Sequence, residues 1–184
     1  MKSLTLHGSL VLAALTLASL APSVARADHA LYGGFGGGFV NDFDCCAVHG
    51  RIQGEFGIHF DHEDYGFVLA FEAWGTFGPQ YDAFTGGARL GYDINVHADR
   101  HFQLLLRPSG FIGIGARDVP GPDHWFGNVT LQPAFDARFV FANRLIALWV
   151  RPLAFDLMIW WDPVFGRDSF SAAYQFMGGI DFQF

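Results

Sequence analysis

Eight stretches of period-two alternation, separated by connections rich in Gly, Pro, Asp and Asn, predict an all-β fold. An even strand number and an up-and-down order make it an eight-stranded antiparallel transmembrane β-barrel. The last strand is the third observation. From Ser169 to Phe184 every second residue, from Phe170 through Tyr174, Phe176 and Ile180 to Phe182 and Phe184, is apolar or small. The alternate set, from Ser169 through Gln175 to Asp181 and Gln183, is largely polar. A strand sends successive side chains to opposite faces, so this segment has one greasy and one polar face.

The N-terminus reads as a secretory signal peptide over residues 1–27. Lys2 supplies a basic start, Leu10 to Leu20 an apolar run, and Ala25-Arg26-Ala27 a small-x-small cleavage site before Asp28. No later stretch approaches the roughly 20 apolar residues of a transmembrane helix. Residues 28–184 form one domain, a length ordinary for a single core. Of the 11 basic residues two, Lys2 and Arg26, fall in the leader, leaving arginines alone against 18 Asp and Glu. A water-exposed surface normally mixes charges and includes Lys, so its absence argues against a soluble domain. The acidity also excludes nucleic acid, which needs basic patches.

The elements follow in order. Leu31 to Val40 puts Phe35 and Phe39 on one face and Gly34, Gly36 and Gly38 on the other. These inward glycines suit a crowded interior, and they match no phosphate-binding spacing. Residues 41–48 are a polar loop containing the adjacent Cys45 and Cys46, which can bridge only through a strained ring that closes no useful loop. Gly50 to Phe60 sets Ile52, Phe56, Ile58 and Phe60 against Arg51, Gln53, Glu55 and His59. After the turn 61–65, Phe67 to Thr76 opposes Phe67, Leu69, Phe71 and Ala73 to Val68, Ala70, Glu72 and Trp74. Phe84 to Val96 alternates most cleanly, with Arg89 and Asp93 on the polar side. Phe102 to Arg117 carries Arg107 and Arg117 inward, Val129 to Phe141 carries Asp136 and Arg138, and Leu145 to Ile159 carries Arg151. The connections, 77–83, 97–100, 118–125, 142–144 and 160–168 among them, alternate long and short.

Leu145 to Ile159 breaks the pattern. With Ile146, Leu148 and Val150 outward, strict alternation would send Asp156 to the same side. A bulge at Pro152-Leu153 would flip the register and turn Asp156 inward, proline being confined in strands to such irregularities. Pro108 and Pro133 follow polar residues in the same way, so bends are expected there too.

A soluble ligand-binding barrel would have the same strand count with its faces inverted. An eight-stranded barrel is only just wide enough for side chains, and the apolar face carries too many Phe and Leu to fit. The polar face therefore lies inside. It carries Arg51, Arg89, Arg107, Arg117, Arg138 and Arg151 against Glu55, Glu72, Asp93, Asp136, Asp156 and Asp181. Six cations meet six carboxylates, which permits a paired network, and the planar fork of Arg suits bidentate pairing. Tyr65, Tyr92, Trp125, Trp160 and Trp161 fall toward strand ends, where an aromatic girdle would sit.

Reactive chemistry is thin. His59, Asp61, His62, Glu63 and Asp64 crowd one turn, and His97, Asp99 and His101 another. The spacing matches no zinc pattern and polar turns collect such residues, so no metal and no cofactor are assigned. His49, Asp123, His124, Asp168 and Ser169 lie at the opposite rim but form no evident triad, so no catalytic residue is assigned.

The closing strand with its terminal Phe184, the alternation and the even strand count resemble the small eight-stranded outer-membrane barrels of the OmpA, OmpX and OmpW type. The resemblance implies short periplasmic turns, longer outer loops and residence in the cell outer membrane of a Gram-negative bacterium. It implies contact with outer-membrane lipid and lipopolysaccharide, and recognition by the barrel-assembly machinery through Tyr174, Phe176, Phe182 and Phe184. A monomer is expected. The leading functional expectation is a structural or surface-interaction barrel, not an enzyme. A narrow, porin-like channel or small hydrophobic-ligand passage comes second, and a lipid A-modifying enzyme third.

Overall fold

The computed structural model describes residues 31–44, 47–60, 66–118, 125–141, 145–161 and 168–184. The leader, Cys45 and Cys46, the 61–65 turn, Asp123 and His124 and the 142–144 turn therefore lie outside the described residues.

Eight strands close into an antiparallel barrel: β1 (Leu31–Asp42), β2 (Val48–His59), β3 (Gly66–Phe77), β4 (Asp82–Ala98), β5 (Phe102–Asp118), β6 (Trp125–Phe141), β7 (Ile146–Trp161) and β8 (Asp168–Gln183). Each pairs with its sequence neighbours, and β8 returns to β1 in a register running from Tyr32 opposite Gln183 to Asp42 opposite Ala173. The Phe184 N–H donates to the Leu31 carbonyl at 2.9 Å, so the ladder is bonded to the last residue. Closure leaves no sheet edge, which is the condition for a sheet to cross lipid.

The faces are inverted relative to a soluble protein. Among the described residues 22 polar or charged side chains are buried against 16 apolar ones. Outward stand Phe35, Phe56, Phe71, Ile112, Ile114 and Phe170, each more than half exposed. An apolar belt of that extent has no stable contact with water; it is the lipid-facing surface of a transmembrane barrel.

The strands run further than the turn residues suggested. Asn41 pairs with Val48, Phe77 with Asp82, Asp118 with Trp125 and Trp161 with Asp168, so polar and aromatic rim residues extend the ladders. At the mouth, the end opposite Leu31 and Phe184, the connections 43–47, 78–81, 119–124 and 162–167 have four to six residues. At the terminus end, 60–65, 99–101 and 142–145 have three to six, so the two ends differ less than composition suggested.

The register shifts in β7 between Arg151 and Ala154. Pro152 and Leu153 both leave the interior, and the parity change buries Asp156 completely. A second shift falls opposite it in β6, between Phe135 and Ala137, and a third in β4 between Asn95 and His97. The ladder between β5 and β6 runs unshifted past both Pro108 and Pro133. Pro133 lies beside a gap in the β6–β7 register rather than in a continuous ladder.

The three inward glycines of β1 are required by closure. A Cβ at Gly34 would overlap the Asp181 carboxylate, and one at Gly38 the backbone carbonyl of Phe176 on the neighbouring strand. Outward Gly54 has nothing within 4 Å of its missing Cβ. Gly38→Ala is expected to destabilise the barrel by about 1–3 kcal/mol, lowering the temperature at which it loses its compact form in SDS. Gly54→Ala should leave that temperature unchanged or raise it, and equal behaviour of the two would refute the packing of β1 on β8.

Candidate functional site

Inward side chains meet in the lumen because every strand delivers one at every second residue. Arg107, from the middle of β5, grips Asp93 on β4 with two parallel bonds, Nε to Oδ1 at 2.6 Å and Nη2 to Oδ2 at 2.7 Å. Its remaining nitrogen reaches the Tyr32 hydroxyl at 3.1 Å and Glu55 at 3.5 Å, and Tyr32 itself donates to Glu55. Arg151 repeats the fork on Asp136, at 2.7 and 3.1 Å, and bonds Glu72 at 3.1 Å and Gln53 at 3.2 Å. Arg89 donates to Glu72, Gln132 and Ser109. Gln132 passes the chain to Asp156 at 2.6 Å, and Asp156 pairs with Arg51 at 2.7 Å. Arg138 pairs with Asp181, which also accepts the Trp149 indole N–H at 3.1 Å.

Five of the six arginines and all six carboxylates expected inside lie buried in the lumen and meet there in ion pairs. The sixth, Arg117, is half-buried at the mouth, with its guanidinium 3.9 Å from the Trp160 ring centroid, 5.2 Å from Tyr81 and 5.8 Å from Phe126. Trp160 does not belong to an outer girdle: it is 2% exposed and points inward, because the β7 bulge that turns Asp156 inward turns Trp160 with it. Tyr92, Trp125 and Trp161 do face outward, and Tyr65 lies outside the described residues.

Apolar residues cap the ionic lumen at both ends. Toward the mouth Val40, Met158, Trp160 and Ala173 form a buried cluster with Phe126 against it. Toward the terminus end lie Leu105, Val140 and Ala147, and beside them Tyr32, Val68 and Ala70. Charges held between apolar layers are screened little by solvent, so each must be compensated locally.

At the mouth His49 is buried, its ring stacked on Tyr81 at 4.2 Å, and among the described residues neither ring nitrogen has a hydrogen-bond partner. It is therefore not bonded to Ser169 as a nucleophile–base pair requires. Burial, reinforced by the Asp42 carboxylate, pushes the Tyr81 hydroxyl up to about 12, so it stays neutral. At the other end the Asp99 carboxylate accepts the backbone N–H groups of Phe102 and His101 at 2.9 and 2.7 Å. Those bonds hold its carboxyl below the usual value. Among the described residues no three His, Cys, Asp or Glu are placed to hold a metal ion.

Tyr174, Phe176, Phe182 and Phe184 all project from the even-numbered, outward face of β8, with Phe176 stacked on Phe39 at 5.7 Å. The Tyr174 hydroxyl donates to the Pro152 carbonyl at 2.6 Å, across the β7 irregularity.

Fold and lumen together define a small eight-stranded outer-membrane-type β-barrel. No family model and no curated protein matches the chain. Solved structures do. Neisserial surface protein A is 9% identical, with a TM-score of 0.55 over 86% of this chain and 98% of that one. The N-terminal β-barrel domain of Pseudomonas aeruginosa OprF is 11% identical, with a TM-score of 0.56 over 85% and 98%. At such identities the likeness is one of fold.

Arg151→Met strands Asp136 in the lumen, leaves Glu72 with Arg89 alone, and is expected to destabilise the barrel by about 3–5 kcal/mol in urea unfolding from lipid vesicles. Arg100→Met, in an exposed turn, should stay within about 0.5 kcal/mol; comparable effects would show that the lumen is hydrated rather than sealed. Asp99 should titrate below the ordinary value of about 3.9, read from the His101 and Phe102 amide resonances. Because its folded pKa is depressed, its contribution to the turn is present above the unfolded value and lost as pH falls through the folded one. A midpoint at or above the ordinary value would contradict the turn geometry.

Proposed function

We propose that the chain is exported through its leader and inserted in the outer membrane of a Gram-negative cell, as an integral barrel with a structural or surface-interaction role. The observation that carries this reading is the sealed lumen: paired Arg and carboxylate side chains between two apolar layers leave the barrel wall and its mouth as the parts that act. The apolar outer belt and the fold shared with Neisserial surface protein A and the OprF barrel support the membrane assignment. Lipid and lipopolysaccharide then surround the belt. The aromatic residues Tyr174, Phe176, Phe182 and Phe184 are the proposed recognition element for the barrel-assembly machinery.

Reconstitution into planar bilayers tests the reading. Protein that shifts in gel mobility on boiling, and so is folded, should give no steady conductance steps. Stable steps would transfer the function to a narrow channel. Recovery of the expressed protein from the soluble periplasm would overturn the membrane assignment itself.

A further inference from the structure

The mouth holds a cleft of about 330 Å³ that the sealing of the lumen does not require. Its walls include Asp42, Asp44, Tyr81, Arg117, Trp160 and Phe170. We infer that this cleft is a binding site for a small organic ammonium ion, with the carboxylates of Asp42 and Asp44 taking the charge and the aromatic rings taking the apolar body.

Three independent features point the same way. The aromatic wall is built to hold a cation and already holds one, since Arg117 lies 3.9 Å over Trp160 and 5.2 Å from Tyr81. Cations sit favourably on such π-faces, best on indole. Arg117 covers one face of Trp160, so an incoming cation is directed to the carboxylates and its hydrocarbon to Tyr81 and Phe170.

The second feature is Asp42. It is 3% exposed and lines the cleft, yet among the described residues it takes part in no ion pair; the one hydrogen bond of its carboxylate there accepts the Asp44 N–H at 3.0 Å. The six carboxylates of the lumen are all paired with arginine. A buried carboxylate calls for a positive partner, and this one faces a cavity instead of a guanidinium fork.

The third feature is the field around the cleft. Among the described residues the mouth end carries Asp42, Asp44, Asp82 and Asp118 against Arg117. The lumen below, with five Arg against six carboxylates, does not offset that excess negative charge. That charge favours a cation and repels an anion of the same shape. Beneath the cleft lie Val40, Met158 and Ala173, so the site is blind and retains its ligand rather than passing it through.

The test uses the folded barrel in maltoside micelles, with benzyltrimethylammonium as probe and 3-phenylpropionate as an anion of similar apolar body. The readout is the Trp160 indole N–H resonance, which the bond to Ser171 Oγ at 2.6 Å fixes in one environment, assigned by its loss in Trp160→Phe. A saturable shift with the ammonium probe and none with the anion is expected. Asp42→Asn should weaken binding about tenfold or more, the loss of one charge-assisted contact. If Asp42→Asn fails to give heat-modifiable protein, exposed Asp44→Asn carries the same expectation at smaller size. Equal binding of the anion, no saturable shift, or wild-type affinity in the folded Asp variants would each overturn the site.

Discussion

Eight strands closed on themselves leave a lumen only wide enough for side chains, and every charge placed there must find a partner in it. The rest of this structure follows from that constraint. Lipid fixes the outer face as apolar, so polarity has to go inward, and period-two alternation makes half of each strand's residues inward ones. Arginine answers the resulting problem because one guanidinium can satisfy two carboxylates. Arg151 does so with Asp136 and Glu72, and Arg107 with Asp93 and Glu55. Lysine, a point charge on a flexible stem, offers no such fork. Glycine answers the volume problem, with Gly34, Gly36 and Gly38 leaving room for Asp181, Trp149 and Met177.

The fold was almost fully legible because its two solvents are so different. Lipid outside and packed polar side chains inside write opposite chemistries onto alternate residues, and β4 shows both from Ala88 to Asp93 without interruption. The site was legible only in part. Alternation identifies which residues point inward but treats the lumen as uniform, so the apolar layers at its two ends were missed. Met158 and Trp160 illustrate the gap. The bulge at Pro152-Leu153 was readable from Asp156, and the same parity carries Met158 and Trp160 inward, yet a tryptophan near a strand end looks like a girdle residue until that parity is followed. His49 shares the parity of Arg51 and was equally deducible. Arg117 was not, because stacking on Trp160, Tyr81 and Phe126 joins β5, β6, β7 and the 78–81 connection, and no local pattern carries that information.

The two apolar layers change what the ionic network can be. Open to water, paired side chains of this kind would exchange partners and contribute little. Between Val40, Met158 and Ala173 on one side and Leu105, Val140 and Ala147 on the other, the pairs are shielded, and removing a single partner leaves a charge with nowhere to go. Buried ion pairs add less to stability than hydrophobic packing of the same volume would. Here that alternative is closed, since an apolar lumen would make both faces of every strand greasy and erase the pattern that fixes the register.

The network also ties stability to closure. Arg51 on β2 bonds Gln175 on β8 at 2.6 Å, Arg138 on β6 pairs with Asp181 on β8, and Arg107 on β5 reaches Tyr32 on β1. The first and last of these contacts are unavailable to an open hairpin or a partial sheet, because one spans the β1–β8 seam and the other the lumen, while the Arg138 pair needs β6, β7 and β8 assembled. An unclosed chain would therefore hold unpaired arginines and carboxylates beside lipid while its β1 and β8 edges were still unbonded. Contacts of such sequence separation form slowly, and the unpaired edges are the ones most open to wrong association. β8 is the strand on which both problems are resolved, supplying Gln175 and Asp181 to the lumen and the Tyr32-to-Asp42 ladder to β1. The end of the chain is where polar alternation, aromatic outer face and backbone bonding all have to be right at once.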